Sequence, residues 1–182
     1  IDALYFLYND IMPIVWKQLP DLKVNIIGNV KDFIKDIDHP NFIFHGFVPD
    51  VEESFSCNKL MVAPLTYGAG VKGKIGQAFE YYLPVVTTSI GAEGMQLING
   101  ENALINDDKE GFANSVIKLY TDKDLWLRLQ SNSENSLHPF SRNKLKEQLL
   151  KIGNTIIRDK TSLTDFNKKF KTPNSRVYRL PN

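Results

Sequence analysis

The chain has 182 residues, enough for one domain with its own core and too few for two full-sized ones. Its 42% hydrophobic and 24% charged residues are the balance of an ordinary globular domain, which excludes a collagen-like or intrinsically disordered chain. The net charge of +1 hides an asymmetry: residues 1–141 carry 11 Lys/Arg against 18 Asp/Glu, and residues 142–182 carry 11 against 3.

Apolar residues at Leu4, Leu7, Tyr8, Ile11, Ile14 and Val15 repeat with helical spacing, predicting a helix over 1–18 that Pro20 and Asp21 bring to an end. A strand is expected over 22–27, ending at Gly28, then a short helix over 30–37 and a strand over 41–45, ending at Gly46. A helical turn around 50–55 leads to a strand over 59–63, closed by Pro64. A glycine-bearing loop over 65–71 opens a helix over 72–82, and a strand follows over 83–88, with Pro84 at its start where a missing N–H costs least. A last short strand at 103–105 precedes helices near 109–121, 123–135 and 142–159. Short strands alternating with helices specify parallel βαβ units, so the expected fold class is α/β: a Rossmann-like open, mainly parallel sheet with helices on both faces. The expected organisation is a domain over 1–141, a C-terminal helix over 142–160 and a basic, partly irregular tail over 161–182, in which 177–180 could add an edge strand.

Such sheets bind ligands outside the carboxyl ends of their strands. Gly28, the run Gly46, Phe47, Val48, and the run Tyr67, Gly68, Ala69, Gly70 all fall there. Gly68 and Gly70 let backbone N–H groups approach an anion with no Cβ in the way, and the helix that follows points its positive end at the same place. Lys72 and Lys74 stand in the first turn, where cations are locally unfavourable; a bound polyanion accounts for them, and a solvent-exposed lysine pair is the plainer alternative. Gly68, Gly70 and Gly73 also satisfy the dinucleotide G-x-G-x-x-G spacing, with Glu93 twenty residues on. That motif wants its first glycine directly after the first strand and its acid at the end of the next, and neither holds here, so a nicotinamide or flavin enzyme is disfavoured. No metal-ligand spacing joins His39, His45 and His138, and Cys57 is expected to be a buried, inert thiol. One cysteine excludes an internal disulfide and fits a reducing compartment. No apolar run reaches the ~20 residues of a membrane span, and nothing at the start reads as a signal peptide.

The stretch Gly68-Ala-Gly-Val-Lys-Gly-Lys-Ile75, followed by Leu83-Pro-Val-Val-Thr-Thr-Ser-Ile-Gly-Ala-Glu-Gly-Met95, resembles the group 1 family of retaining glycosyltransferases. Asp2-Ala3, Ile11-Met-Pro13, Pro20-Asp21, Ile26-Ile27-Gly28 and His45-Gly46-Phe47-Val48 occur upstream in the family's order. Asn102-Ala-Leu-Ile105, Phe112-Ala113 and Leu125-Trp126 follow downstream. The resemblance covers roughly 1–141 and implies the C-terminal half of a GT-B fold, in which two Rossmann-like domains face each other across a cleft. It implies that this half binds a nucleotide-diphosphate sugar, the donor substrate, while a separate N-terminal domain holds the acceptor. Gly68, Ala69, Gly70, Lys72 and Lys74 would surround the diphosphate and sugar, Gly46, Phe47 and Val48 would lie near the nucleobase, and Gly28 and Tyr67, at the strand ends, are further candidates for binding the donor. It further implies transfer of a hexose-type sugar with retention and with no metal or other cofactor, Lys72 and Lys74 neutralising the leaving diphosphate. The setting it implies is bacterial glycan biosynthesis in the cytoplasm, with no nucleic-acid partner. The basic 142–182 segment reads first as a solvated helix and tail; the other role open to it is peripheral contact with the inner face of the membrane.

Three departures from the family pattern stand out. Two glutamates eight positions apart are replaced here by Ala69 and Gln77; Gln77 can still accept from ribose hydroxyls, without charge. Tyr82 stands where a glycine usually makes the left-handed helix cap. The strand that opens the family's domain, in the middle of its sheet, has no counterpart before the helix at 1–18. The alternative reading that these departures support is a degenerate nucleotide-sugar-binding or interaction module without transferase activity.

Overall fold

Pro13 leaves a fault in the first helical stretch. The computed structural model, which describes residues 1–34 and 36–169, opens with α1 (Asp2–Phe6), widens into a π turn over Leu7–Ile11 and returns to α-helix as α2 (Met12–Gln18). Proline has no N–H for the i−4 carbonyl and its ring presses on that group, and the wider turn gives it room. The apolar stripe survives the fault: Leu7, Ile11, Met12 and Val15 are all buried.

Strand β1 (Val24–Ile27) pairs in parallel with β2 (Phe42–Gly46), and the register shifts between Ile26 and Ile27, so that Ile27 faces Gly46. Between them the expected helix over 30–37 is reduced to a 3-10 turn, Lys31–Phe33. Asp32, Asp36 and Asp38 are poor helix formers, and Ile34 and Ile37 both reach the core from irregular backbone, Lys31 Nζ donating to the Ile37 carbonyl at 3.0 Å. Helix α3 (Glu52–Ser56) precedes β3 (Met61–Ala63); Cys57, at the end of α3, is exposed rather than buried, because the chain between these elements stays at the surface. Helix α4 (Gly73–Glu80), β4 (Val85–Thr87), the single turn α5 (Ser89–Ala92) and β5 (Leu104–Ile105) complete a second parallel sheet in the order β3-β4-β5. Its centre, β4, is buried on both faces, as a parallel strand covered by helices must be. Val85 belongs to a core with Ile75, Phe79 and Met95, and Val86 to the larger core under α2 and α6 (Lys109–Thr121).

Asp108 caps α6, its carboxylate accepting from the Gly111 amide at 2.7 Å, and Asp122 caps α7 (Lys123–Ser131) by accepting from Leu125 at 2.9 Å. The helix expected over 123–135 is broken at Asn132, whose Nδ2 donates to the Glu101 carbonyl at 2.6 Å, and the chain resumes as α8 (Ser133–Leu137). The chain divides into two units, Ile1–Pro139 and Phe140–Asn182. In the second, α9 spans Arg142–Lys169, running past the expected end near 160. The suggested edge strand at 177–180 lies outside the described residues. No helix among the described residues is long and apolar enough to cross a membrane.

Candidate functional site

The exit of β3 is pinned before the glycine loop begins. Thr87 Oγ1 donates to the Ala63 carbonyl at 2.8 Å, and Thr88 Oγ1 donates to that of Leu65 at 2.6 Å. The Thr88 hydroxyl also accepts from the Gly91 amide at 3.2 Å, capping α5. Beyond Leu65 the loop turns on two residues in conformations open to glycine, Gly68 at φ +132° and Gly70 at φ +73°.

Lys72 is the N-cap of α4. Its amide donates to Met95 Sδ at 3.2 Å, and its ammonium folds back onto the Gly70 carbonyl at 2.7 Å. No side chain caps α4 among the described residues, and its first turn carries no acid. Its leading N–H groups, with the positive end of the helix dipole, therefore face outward beside Gly70. Lys74 Nζ lies 3.4 Å from Gln77 Oε1 one turn on, so the two polar side chains of the helix's first turns share one face. Tyr67 and Ala69 are exposed in the same loop.

The other predicted residues sit at the ends of β1 and β2. Gly28 and Gly46 form an antiparallel bridge, the Gly28 amide donating to Gly46 at 2.7 Å; both have positive φ, +119° and +69°. Phe47 follows with 73% of its surface exposed, next to a half-buried Val48. A cavity of about 900 Å³ reaches from Ile27 to the α4 turn at Lys72, Gly73 and Lys74. Of the predicted site residues Lys72 and Lys74 line it, whereas Gly28, Gly46, Phe47, Val48, Tyr67, Gly68, Ala69, Gly70 and Gln77 do not.

Sequence reasoning did not single out the support beneath this loop. A β-carbon on Gly91 would overlap Thr87 Oγ1, and one on Gly94 (φ +73°) would press on the Gly70 and Val71 backbone. The signal was a pair of threonines ending an apolar strand, which set an N-cap and a carbonyl clamp together. Glu93 closes α5 instead of ending a strand, which removes the geometry a dinucleotide-binding acid requires. At the far end of α4, burial raises the Tyr81 phenol above its ordinary pKa, and the nearby carboxylates of Glu52, Asp50 and Glu80 push it the same way.

Two of the three histidines have structural partners. His39 stacks on Trp16 with ring centroids 3.9 Å apart, His45 Nε2 meets Asn25 Oδ1 at 2.8 Å, and His138 lies in a 3-10 turn, His138–Phe140. Among the described residues no three His, Cys, Asp or Glu side chains are grouped to hold a metal ion.

The family model described as glycosyl transferases group 1 matches residues 1–122. An uncharacterised 44.6 kDa protein of the cps region of Klebsiella pneumoniae is 32% identical over 127 residues, 64% of this chain and 33% of the relative. Among solved structures, HepE from Anabaena in complex with UDP-glucose is similar with a TM-score of 0.67 at 15% identity, over 81% of this chain and 44% of that one. The C-terminal domain of the group 1 glycosyl transferase LpcC from Francisella tularensis is similar with a TM-score of 0.58 at 19% identity, over 68% of this chain and 72% of that domain. The chain thus spans about a third of the length of its curated relative and under half of HepE.

Proposed function

Since the chain belongs to the group 1 glycosyltransferase family, we propose that it is the donor-binding part of such an enzyme, holding a nucleotide-diphosphate sugar for transfer to an acceptor on a separate N-terminal domain. The observation that carries this reading is the start of α4, which no side chain caps, with Gly68 and Gly70 in open conformations, Lys72 at its N-cap and Lys74 in its first turn. A diphosphate laid there accepts from the free amides, and the helix dipole and the two ammonium groups stabilise it. Its arrival replaces the Gly70 carbonyl as the partner of the Lys72 ammonium.

In the transfer step the bond between the anomeric carbon and the β-phosphate oxygen breaks, and its electron pair leaves with the diphosphate. The acceptor hydroxyl forms the new bond on the same face of the sugar, its proton passing to a base supplied by the acceptor domain. Lys72, Lys74 and the α4 amides stabilise the charge that grows on the leaving group, which is the part a divalent cation plays in metal-dependent transfer. Gln77 accepts from ribose hydroxyls. The domain alone binds donor and does not turn it over. The full enzyme acts in the cytoplasm on a hexose-type donor, in bacterial glycan synthesis; the Klebsiella relative encoded in a cps region supports that setting.

Calorimetric titration with UDP, GDP and ADP in metal-free buffer tests the reading, UDP first because HepE was solved with UDP-glucose. One nucleotide should bind, and Lys72→Ala/Lys74→Ala should lose it. A folded protein that binds none of the three would shift the reading to a degenerate module without transferase activity.

A further inference from the structure

Lys72 is held at three points. Its amide donates to Met95 Sδ at 3.2 Å, its carbonyl accepts from Ile75 at 2.9 Å and Gly76 at 3.2 Å, and its ammonium rests on the Gly70 carbonyl. The two carbonyl bonds open α4 as they open any helix. The sulfur bond is of another kind, because a thioether is a weak acceptor and amides at a helix start more often go to water or a capping oxygen. Met95 reaches Lys72 from beneath the loop. Its side chain is 1% exposed, in the core with Ile75 and Phe79, and its methyl lies 3.9 Å from where a β-carbon on Gly76 would stand. With its sulfur at Lys72 and its methyl at Gly76, the side chain runs along one turn of α4. The Met95 backbone is fixed in turn, its amide donating to the Ala92 carbonyl at 3.0 Å, and the preceding Gly94 lies against Gly70 and Val71.

We propose that Met95 is a positioning residue for the donor's diphosphate, acting through the Lys72 amide, a role that rests on the donor-binding reading above. In a trans peptide the N–H points opposite to the C=O. The Lys72 carbonyl is turned into the helix, so the Gly73 N–H of the same peptide is turned out, and the Lys74 N–H follows it. Neither amide has a partner among the described residues, and these two are the donors that α4 presents to an anion. Lys72 itself is extended, with φ −97° and ψ 90°, so the helix geometry does not fix its dihedrals. They are set by what holds the peptides on either side. The Ile75 and Gly76 amides hold the one that follows, and Met95 Sδ holds the one that precedes. A leucine of similar volume fills the same space and leaves the Lys72 amide without an acceptor. The turn is then free to rotate, and the Gly73 and Lys74 amides lose their common aim.

Calorimetric titration of the full chain with pyrophosphate and with UDP, in wild type, Met95→Leu and Met12→Leu, tests this. Met12 is as deeply buried in the other core and controls for packing alone. Leucine nearly conserves the volume, so both variants should keep the thermal midpoint of wild type within a few degrees. Met95→Leu should weaken both ligands about fivefold, the worth of one hydrogen bond, and Met12→Leu should leave them unchanged. Selenomethionine protein keeps an acceptor at position 95 and should bind as wild type does. Its selenium-77 resonance at that position, identified by its loss in Met95→Leu, should shift as pyrophosphate saturates the site, and packing alone does not move it. Equal affinity in wild type and Met95→Leu would overturn the proposal and leave the donor reading standing. Equal losses in the two leucine variants would also overturn it, by assigning the effect to the cores. Wild type that binds neither ligand would remove the donor reading and this role with it. If Met95→Leu does not fold, the selenium resonance at 95 is identified by elimination through Met12→Leu and Met61→Leu, and a resonance that stays in place would refute the proposal.

Discussion

Gly94 lies against Gly70: a β-carbon at position 94 would stand 3.1 Å from the Gly70 carbonyl carbon and 3.3 Å from the Val71 nitrogen. The turn after α5 is thus the floor of the glycine loop. Both residues hold positive φ, so neither the contact nor the conformation tolerates a side chain.

Gly94→Ala should therefore cost ~1–3 kcal/mol of stability and weaken nucleotide binding, since the loop must shift to make room. Gly76→Ala is the matched control. It lies inside α4 with only Met95 Cε nearby, at 3.9 Å, and should stabilise the protein by ~0.5–1 kcal/mol. Denaturant unfolding of the two variants reads both signs, and equal effects would refute the packing argument.

Tyr82 holds φ +54° just past α4, with the Tyr82 amide bonded to Phe79 at 3.0 Å and the Leu83 amide to Ala78 at 2.9 Å. These are the two bonds of a Schellman cap with a tyrosine in glycine's place. Tyr82→Gly should raise stability by ~1 kcal/mol, visible as a higher midpoint of thermal unfolding. A lower midpoint would mean that the half-exposed ring contributes more than its backbone costs.

Gln77→Glu puts a charge one turn from Lys74, where the amide oxygen now sits 3.4 Å from Nζ. Under the donor-binding proposal, a carboxylate accepts more strongly from ribose hydroxyls, and UDP affinity should rise about fivefold, ~1 kcal/mol. Affinity for inorganic pyrophosphate, which lacks the ribose, should not rise. Parallel gains for both ligands would remove Gln77 from the ribose site.

Tyr81 stacks on Phe55 at 5.4 Å, and burial, seconded by Glu52, Asp50 and Glu80, raises its pKa. Folding therefore favours the neutral phenol. Its contribution is complete below the unfolded value near 10 and is lost as pH rises through the higher folded value. Tyr81→Phe should flatten the decline in stability above pH 10, and an unchanged alkaline limb would contradict the assignment.

The strands were legible because short apolar runs bounded by Gly and Pro leave few alternatives, and each of the five lies inside or within one residue of its expected range. Helix α6 matches residue for residue because Asp108 and Asp122 mark its ends chemically. What escaped was long-range or competitive. The break at Asn132 depends on a carbonyl 31 residues away, at Glu101. The loss of the 30–37 helix depends on both Ile34 and Ile37 finding the core. At the site, the glycine loop and its lysines were visible as local chemistry. The clamp from Thr87 and Thr88 onto Ala63 and Leu65 was not, since it joins strands 23 or 24 residues apart.

The separation of β2-β1 from β3-β4-β5 also sets how this chain transmits force. Among the described residues no backbone ladder crosses from β1 to β3, so the two halves of the first unit adhere mainly through side chains. Helix α6 is the principal bond between them, touching α2 on one side and β4 and β5 on the other. Packed side chains slide past one another far more readily than a hydrogen-bonded ladder shears. Under load, this seam should part before either ladder does, leaving the glycine loop on the half that carries β3.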